Sequence, residues 1–485
     1  MSLNFCDLLV LGSDLSGVMA ATLLAKRGMN VLLIDDGSDE ETLPNLVTGL
    51  SSKNFKSFLG KLMIPDSKLQ ALHENKIPGQ IIFPKHRLDL HPSRPTFLKE
   101  IQREFPKERE ILEQLFEEVE RLRETHLEEA LQFFPIVGGK QKKQFIKWFQ
   151  SLPQEKILDL WQQISPTAQC FLRVYLKFQS RSLLIEPLIL QLLFFLHPDG
   201  AKTFSIKGGL RELKKIFFDK LDYFGGMIHP LEGDTFQVLT KGREVRGIQL
   251  GRYNFPTRCR YFIGNGDIKQ LYENVSVPFF LFPFFQKKKV LSLPLKECRS
   301  SIRYQLSREI IPTPMKENVI FVANPDSPLS GSNYLEINFC PLSGSRENGY
   351  DTELTVTYGL PEENTSSIKA KELFDEIDKA IRKLIPFSEG HLSKIEAHQK
   401  KSQNSQEELP LFPTSPLEDT QVLLEKGHSS FYSSSLFFPT PKTPYKNFFT
   451  LGPNMLDWLG MEGKILTALR VVDLIWSHES KLKSS

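Results

Sequence analysis

Gly12-Ser13-Asp14-Leu15-Ser16-Gly17 lies between an apolar run, Asp7–Leu11, and a small-residue helical pattern, Leu15–Arg27. Such a turn suits the pyrophosphate of a dinucleotide. Amides at a helix N-terminus point at the anion, and the helix dipole favours negative charge. Gly12 can make the tight turn, Gly17 can let helix and strand pack closely, and the Ser16 hydroxyl can donate to a phosphate oxygen. A second apolar run, Val31–Ile34, ends in Asp35 and Asp36, with Asp35 standing 23 positions after Gly12. A carboxylate at that distance is placed to hold a ribose hydroxyl. The middle glycine of the usual pattern is here Asp14. Its Cβ narrows the approach, and its charge repels a pyrophosphate unless the carboxylate turns away or is paired.

These residues need elements to position them. Strand, helix and strand within ~30 residues make one βαβ unit. A glycine turn of this kind is common in doubly wound folds, so it specifies the fold more firmly than the ligand. Prolines from Pro44 to Pro95 punctuate loops. Leu98–Phe134 reads as one long charged helix, and Trp148–Leu196 continues helical and more apolar. Leu210–Phe224 looks amphipathic and is closed by Gly225-Gly226. Strands are expected at Thr235–Thr240, Glu244–Leu250, Arg260–Gly264, through much of 290–360, and at Asn447–Leu451. Helices are expected at Ser367–Leu384 and Glu462–Trp476, with a loop at Lys400–Pro416.

Composition narrows the partners. The 485 residues include 61 Lys+Arg and 58 Asp+Glu, a formal charge of +3, which argues against nucleic acid. Cys6, Cys170, Cys259, Cys298 and Cys340 are scattered with no CxxC, so neither a disulfide framework nor a metal site is expected, and a cytoplasmic location is. Met1–Leu11 lacks a basic leader and reads as a first strand. No stretch reaches ~18 uninterrupted apolar residues. Phe is used heavily, 37 times against 11 Tyr and 4 Trp, which fits a core, an apolar pocket or a membrane contact.

Three separated segments together resemble the flavin amine oxidase and phytoene desaturase superfamily. The first is Asp7–Asp35. The second runs from Gly208-Gly209-Leu210 through the hairpin Gly242–Ile248 to Ile263-Gly264-Asn265-Gly266-Asp267. The third is Asn447–Pro453 followed by Gly460-Met461-Glu462-Gly463. The resemblance implies an α/β fold, a Rossmann-like FAD/NAD(P)-binding domain with an interleaved α+β substrate domain. Residues 1–75, 200–285 and 420–485 would form the FAD-binding part, and 76–199 and 286–419 the substrate or lid part. It also implies an FAD-dependent oxidoreductase that dehydrogenates or isomerises an apolar, isoprenoid-like substrate by hydride transfer to the flavin. Gly12, Ser13, Asp14, Leu15, Ser16 and Gly17 would face the pyrophosphate, and Asp35 with Asp36 the ribose. Thr235 would meet the adenine. Gly452, Pro453 and the turn Gly460-Met461-Glu462 would lie along the flavin.

The departures leave a second reading open. Asp14 replaces a glycine, acids stand where an RxGGR-like run belongs, and the closing Gly-Asp is Gly452-Pro453. Each weakens FAD binding. The alternative is a pseudoenzyme on the same fold that holds a lipid or prenyl group, as the similar Rab GDP-dissociation inhibitors do.

Other features are less specific. Val18 and Met19 follow the turn where a P-loop needs Lys and Ser/Thr. His197-Pro198-Asp199 reads as a loop. The clusters Gly138–Lys143 and Gln286–Lys289 read as solvated loops or as contacts for anionic lipid. Val277–Phe285, with five Phe, reads as a buried strand pair or as a wedge for peripheral membrane docking.

Overall fold

The computed structural model describes the chain except residues 1–4, 38–45, 49–52, 66–71, 75–78, 92, 181–186, 197–202, 207–208, 232–234, 252–255, 276–281, 293–294, 342–350, 362–369, 389–390, 395–428, 433–439, 453–454 and 485. The chain begins as expected, with β1 (Phe5–Leu11), α1 (Leu15–Lys26) and β2 (Val31–Asp35). Then come β3 (Leu46–Thr48), α2 (Lys53–Lys61), β4 (Leu72–Glu74), β5 (Gly79–Ile82) and β6 (Arg87–Leu90). A helical stretch follows: α3 (Arg94–Glu104), α4 (Arg109–Phe133), α5 (Gly139–Gln150), α6 (Glu155–Gln163), α7 (Pro166–Ser180) and α8 (Leu188–Phe195). The chain returns through β7 (Thr203–Ile206), α9 (Gly209–Tyr223), β8 (Met227–Pro230), β9 (Phe236–Lys241), β10 (Glu244–Leu250), β11 (Thr257–Asn265), α10 (Ile268–Glu273) and α11 (Phe282–Leu291). The last elements are β12 (Leu295–Leu306), β13 (Asn318–Val322), β14 (Tyr334–Pro341), β15 (Thr352–Pro361), α12 (Ala370–Leu384), β16 (Leu392–Lys394), β17 (Ser429–Tyr432), β18 (Phe448–Leu451) and α13 (Gly460–Ser484).

The first sheet has the order β8-β2-β1-β11-β10-β9, with β18 also beside β11. Strands β8, β2, β1, β11 and β18 run parallel, whereas the β9–β10 hairpin is antiparallel. Both faces are covered, which is why β1 and β2 are continuous apolar runs. Leu8, Val10, Val31 and Leu33 face α1, α9 and α13, and Leu9, Leu32 and Ile34 pack with Val238, Val245 and Ile248 of the hairpin. Gly17, Ala20 and Ala21 keep α1 thin enough to be buried from Leu15 to Ala25 between the sheet and its neighbours α9 and α13.

A second, eight-stranded sheet has the order β16-β12-β15-β14-β13-β5-β6, with β17 beside β12. Its alternation is clear in β13. Ile320 and Val322 pack toward the α3–α8 helices, whereas Val319 and Phe321 pack with Ile377 and Ile381 of α12. Strand β17 lies within 420–485, so that stretch does not serve the first sheet alone.

Three readings need correcting. The basic clusters Gly138–Lys143 and Gln286–Lys289, expected as loops, have their lysines in helices α5 and α11. The long helix expected at Leu98–Phe134 is two, because Pro106 cannot continue a hydrogen-bonded turn. Phe105 leaves helical geometry (φ −127°, ψ 62°) and a 3-10 turn, Pro106–Glu108, links α3 to α4. Phe282–Phe285 belong to helix α11, not to a strand, and residues 277–281 of the wedge, like His197–Asp199, lie outside the described residues. Of the uses open to Phe, the core takes Phe97, Phe116 and Phe171, buried among α3, α4 and α7, with Phe97 and Phe116 edge to face at 5.8 Å. Among the described residues, no helix is long and apolar enough to cross a membrane, and no His/Cys/Asp/Glu group could hold a metal.

Candidate dinucleotide site

The turn after β1 opens at the C-terminal ends of the parallel strands, between β2 on one side and β11 on the other. Ligands of open α/β sheets bind in that crevice. Gly12 has φ +101° and its N–H donates to Ile34 O (2.9 Å). A Cβ there would lie 1.9 Å from Asn265 O, so glycine is required on two grounds. Asn265, fully buried at the end of β11, donates through Nδ2 to Gly12 O and to Asp14 O, both at 2.9 Å. The Ser16 hydroxyl donates to Asp14 Oδ1 (2.6 Å) and accepts from the N–H of Gly452 (3.1 Å), just past β18.

Charge gathers around this clamp. Asp14 is the N-cap of α1 and accepts the Ser16 N–H (3.0 Å), satisfying a free helix-end donor. It is 6% exposed and forms an ion pair with Lys464 of α13. Burial alone would raise its pKa. The Lys464 charge and hydrogen bonds from Lys464 and Ser16 outweigh that and hold the carboxyl below the usual carboxylate range. Ser13, also buried, donates through both N–H (3.0 Å) and Oγ (2.9 Å) to the Asp36 carboxylate. Its Oγ accepts from Lys214 Nζ of α9 (2.6 Å), and that ammonium stands 3.6 Å from Asp35.

The structure therefore brings together Gly12, Ser13, Asp14, Ser16, Gly17, Asp35, Asp36 and Gly452. Leu15 and Met461 turn their side chains into the core around α1 and α13, so they can serve a ligand only through the backbone. Gly460 starts α13 at φ +56°, with Glu462 in its first turn. Thr235 is exposed, and its carbonyl accepts from Gly251 N–H at the end of the hairpin, not from the turn. Pro453 lies outside the described residues.

Two members of the site, Lys214 and Lys464, carry sequence signals. Lys214 interrupts the apolar stripe Leu210, Phe217, Leu221 of α9, where a cation demands a partner. Lys464 lies near the N-terminus of α13, where the helix dipole disfavours positive charge unless an anion is close.

The arrangement fits a dinucleotide in its glycines, its acid at the end of β2 and its two lysines. The anion seat at the start of α1 is held by the chain's own carboxylate, Asp14. Beside the start of α13, Trp458 is packed edge-on by Phe134 and Phe194, both at 5.2 Å, with Phe195 next to them. This aromatic cluster belongs to the helical core, with Phe134 and Trp458 buried and Phe194 and Phe195 half-buried against them.

The fold is a Rossmann-like α/β architecture with an interleaved second unit. No family model and no curated protein matches the chain. Solved structures share the fold at low identity. An oxidoreductase from Methanosarcina mazei is 13% identical with TM-score 0.54, the match covering 96% of this chain and 100% of that one. A protein from Pyrococcus furiosus is 12% identical with TM-score 0.55, covering 97% of each. Putrescine oxidase bound to putrescine is 12% identical with TM-score 0.55, covering 98% of this chain and 99% of the other. The resemblance read from the sequence holds at the level of fold.

Proposed function

We propose that the protein is an FAD-dependent oxidoreductase acting on an apolar, isoprenoid-like substrate. One observation carries the reading. The glycine turn, the Asp35 carboxylate and the start of α13 converge at the C-terminal ends of parallel strands, in a fold shared with an oxidoreductase and with putrescine oxidase. Asp35 would hold the adenosine ribose. The turn from Gly12 to Gly17 would take the pyrophosphate, with Lys214 and Lys464 supplying positive charge. The amides from Gly460 to Glu462 would face the pyrimidine edge of the flavin, where helix-end donors stabilise negative charge. FAD when bound supplies the hydride acceptor, so no protein acid or base is demanded.

The half-buried Phe194 and Phe195, packed on Trp458, offer the apolar contact such a substrate would use, since each buried CH₂ contributes roughly 0.8 kcal/mol. In this reading residues 1–75, 200–285 and most of 420–485 hold the cofactor, and the rest shapes the substrate pocket. The test is the visible spectrum of the purified protein, before and after FAD is added. A flavin spectrum, or quenching of FAD fluorescence on titration, is expected. A colourless protein that leaves FAD unperturbed would sink the proposal.

A further inference from the structure

We propose that Asp14 is an internal stand-in for the dinucleotide's pyrophosphate and that Lys464 exchanges it for the pyrophosphate when the dinucleotide binds. The inference rests on the FAD reading above and names how that site is regulated by its own residues.

The usual turn has no side chain at this position. Here a carboxylate sits at the N-terminus of α1, accepts the Ser16 N–H and hydroxyl, and is paired with Lys464 from α13. A carboxylate with a helix-end amide and a buried ammonium has the partners that a phosphate would seek in the same place. The two anions cannot share one seat, because neither the amide nor the ammonium can fully serve both. Binding therefore requires the Asp14 side chain to rotate out. The backbone permits this: the Asp14 carbonyl stays clamped by Asn265 Nδ2 and by the N–H groups of Gly17 and Val18 while the side chain turns. The pair holds the turn in place and lowers the affinity for the dinucleotide.

The experiment is a fluorescence titration of FAD into the full-length chain and its Asp14→Gly, Asp14→Asn and Lys464→Met variants, with a thermal melt of each ligand-free protein. Asp14→Gly and Asp14→Asn should each tighten FAD by about tenfold or more, the factor given by 1.4 kcal/mol, while lowering the ligand-free melting temperature. Lys464→Met should loosen FAD. If the wild-type chain binds FAD and neither Asp14 variant binds it more tightly, the exchange is overturned and the FAD reading stands. If Asp14→Gly binds and the wild type does not, the stand-in is supported and the native chain is no flavoenzyme. If every folded variant leaves FAD unbound, both readings fall.

Discussion

A methyl group on Gly17 would lie 2.1 Å from the side-chain amide of Asn265, a residue 248 positions away that is fully buried. The Gly17→Ala variant should therefore lose about 1–3 kcal/mol of stability through overpacking. Removing the obstacle with Asn265→Ala in the same chain should recover part of the loss, so the double variant falls short of the sum. Urea denaturation of the four proteins measures this coupling. Additive losses would show that helix and strand do not meet at this point.

Breaking the Asp14–Lys464 pair from one side leaves a buried charge. Lys464→Met should cost about 3–5 kcal/mol, and the Asp14→Asn/Lys464→Met double variant should cost less than that single one. Chemical denaturation reads both. Equal costs would mean that Lys464 stabilises the fold by packing alone.

The same pair sets an acid limit. Asp14 has a folded pKa below its unfolded value, so its contribution is fully present above pH ~4 and is lost as pH falls through the folded pKa. Melting temperature followed from pH 5 downward should decline less steeply in Asp14→Asn than in the wild type. Parallel curves would contradict the assignment.

Cys6 and Cys259 face each other across β1 and β11, and both are buried free thiols. Burial pushes the Cys6 thiol up to about 12, and the Cys259 thiol higher. At pH 8 a thiol reagent should label the less buried Cys340 well before either, as peptide mass spectrometry would record. Early labelling of Cys6 would require the first sheet to open far below global unfolding.

What was legible in the chain follows from distance along it. The turn, Asp35, the hairpin and the last helix are local patterns of glycine and apolar spacing, and they fold as read. Lys214 and Lys464 find their partners 201 and 450 positions away, so no window of sequence contains both halves of either interaction. Each still left a trace, a cation where its own helix disfavours one. Pro106 shows the opposite case. The apolar spacing runs smoothly through it, and the missing N–H breaks the helix regardless. The surplus of Phe was open to several uses, and the structure spends part of it on the helical core around Phe97, Phe116 and Phe171.

The joining of β1, β11 and α13 in one sheet and its cover has a consequence for the order of synthesis. The Asp14 turn is made before Asn265, which follows 251 residues later, and before Lys464, which follows 450 residues later. Until then Asp14 has no cation from α13, and the first βαβ unit must wait with a carboxylate at its heart. Truncation before α13 should therefore leave Asp14 without its cation and the first sheet without part of its cover.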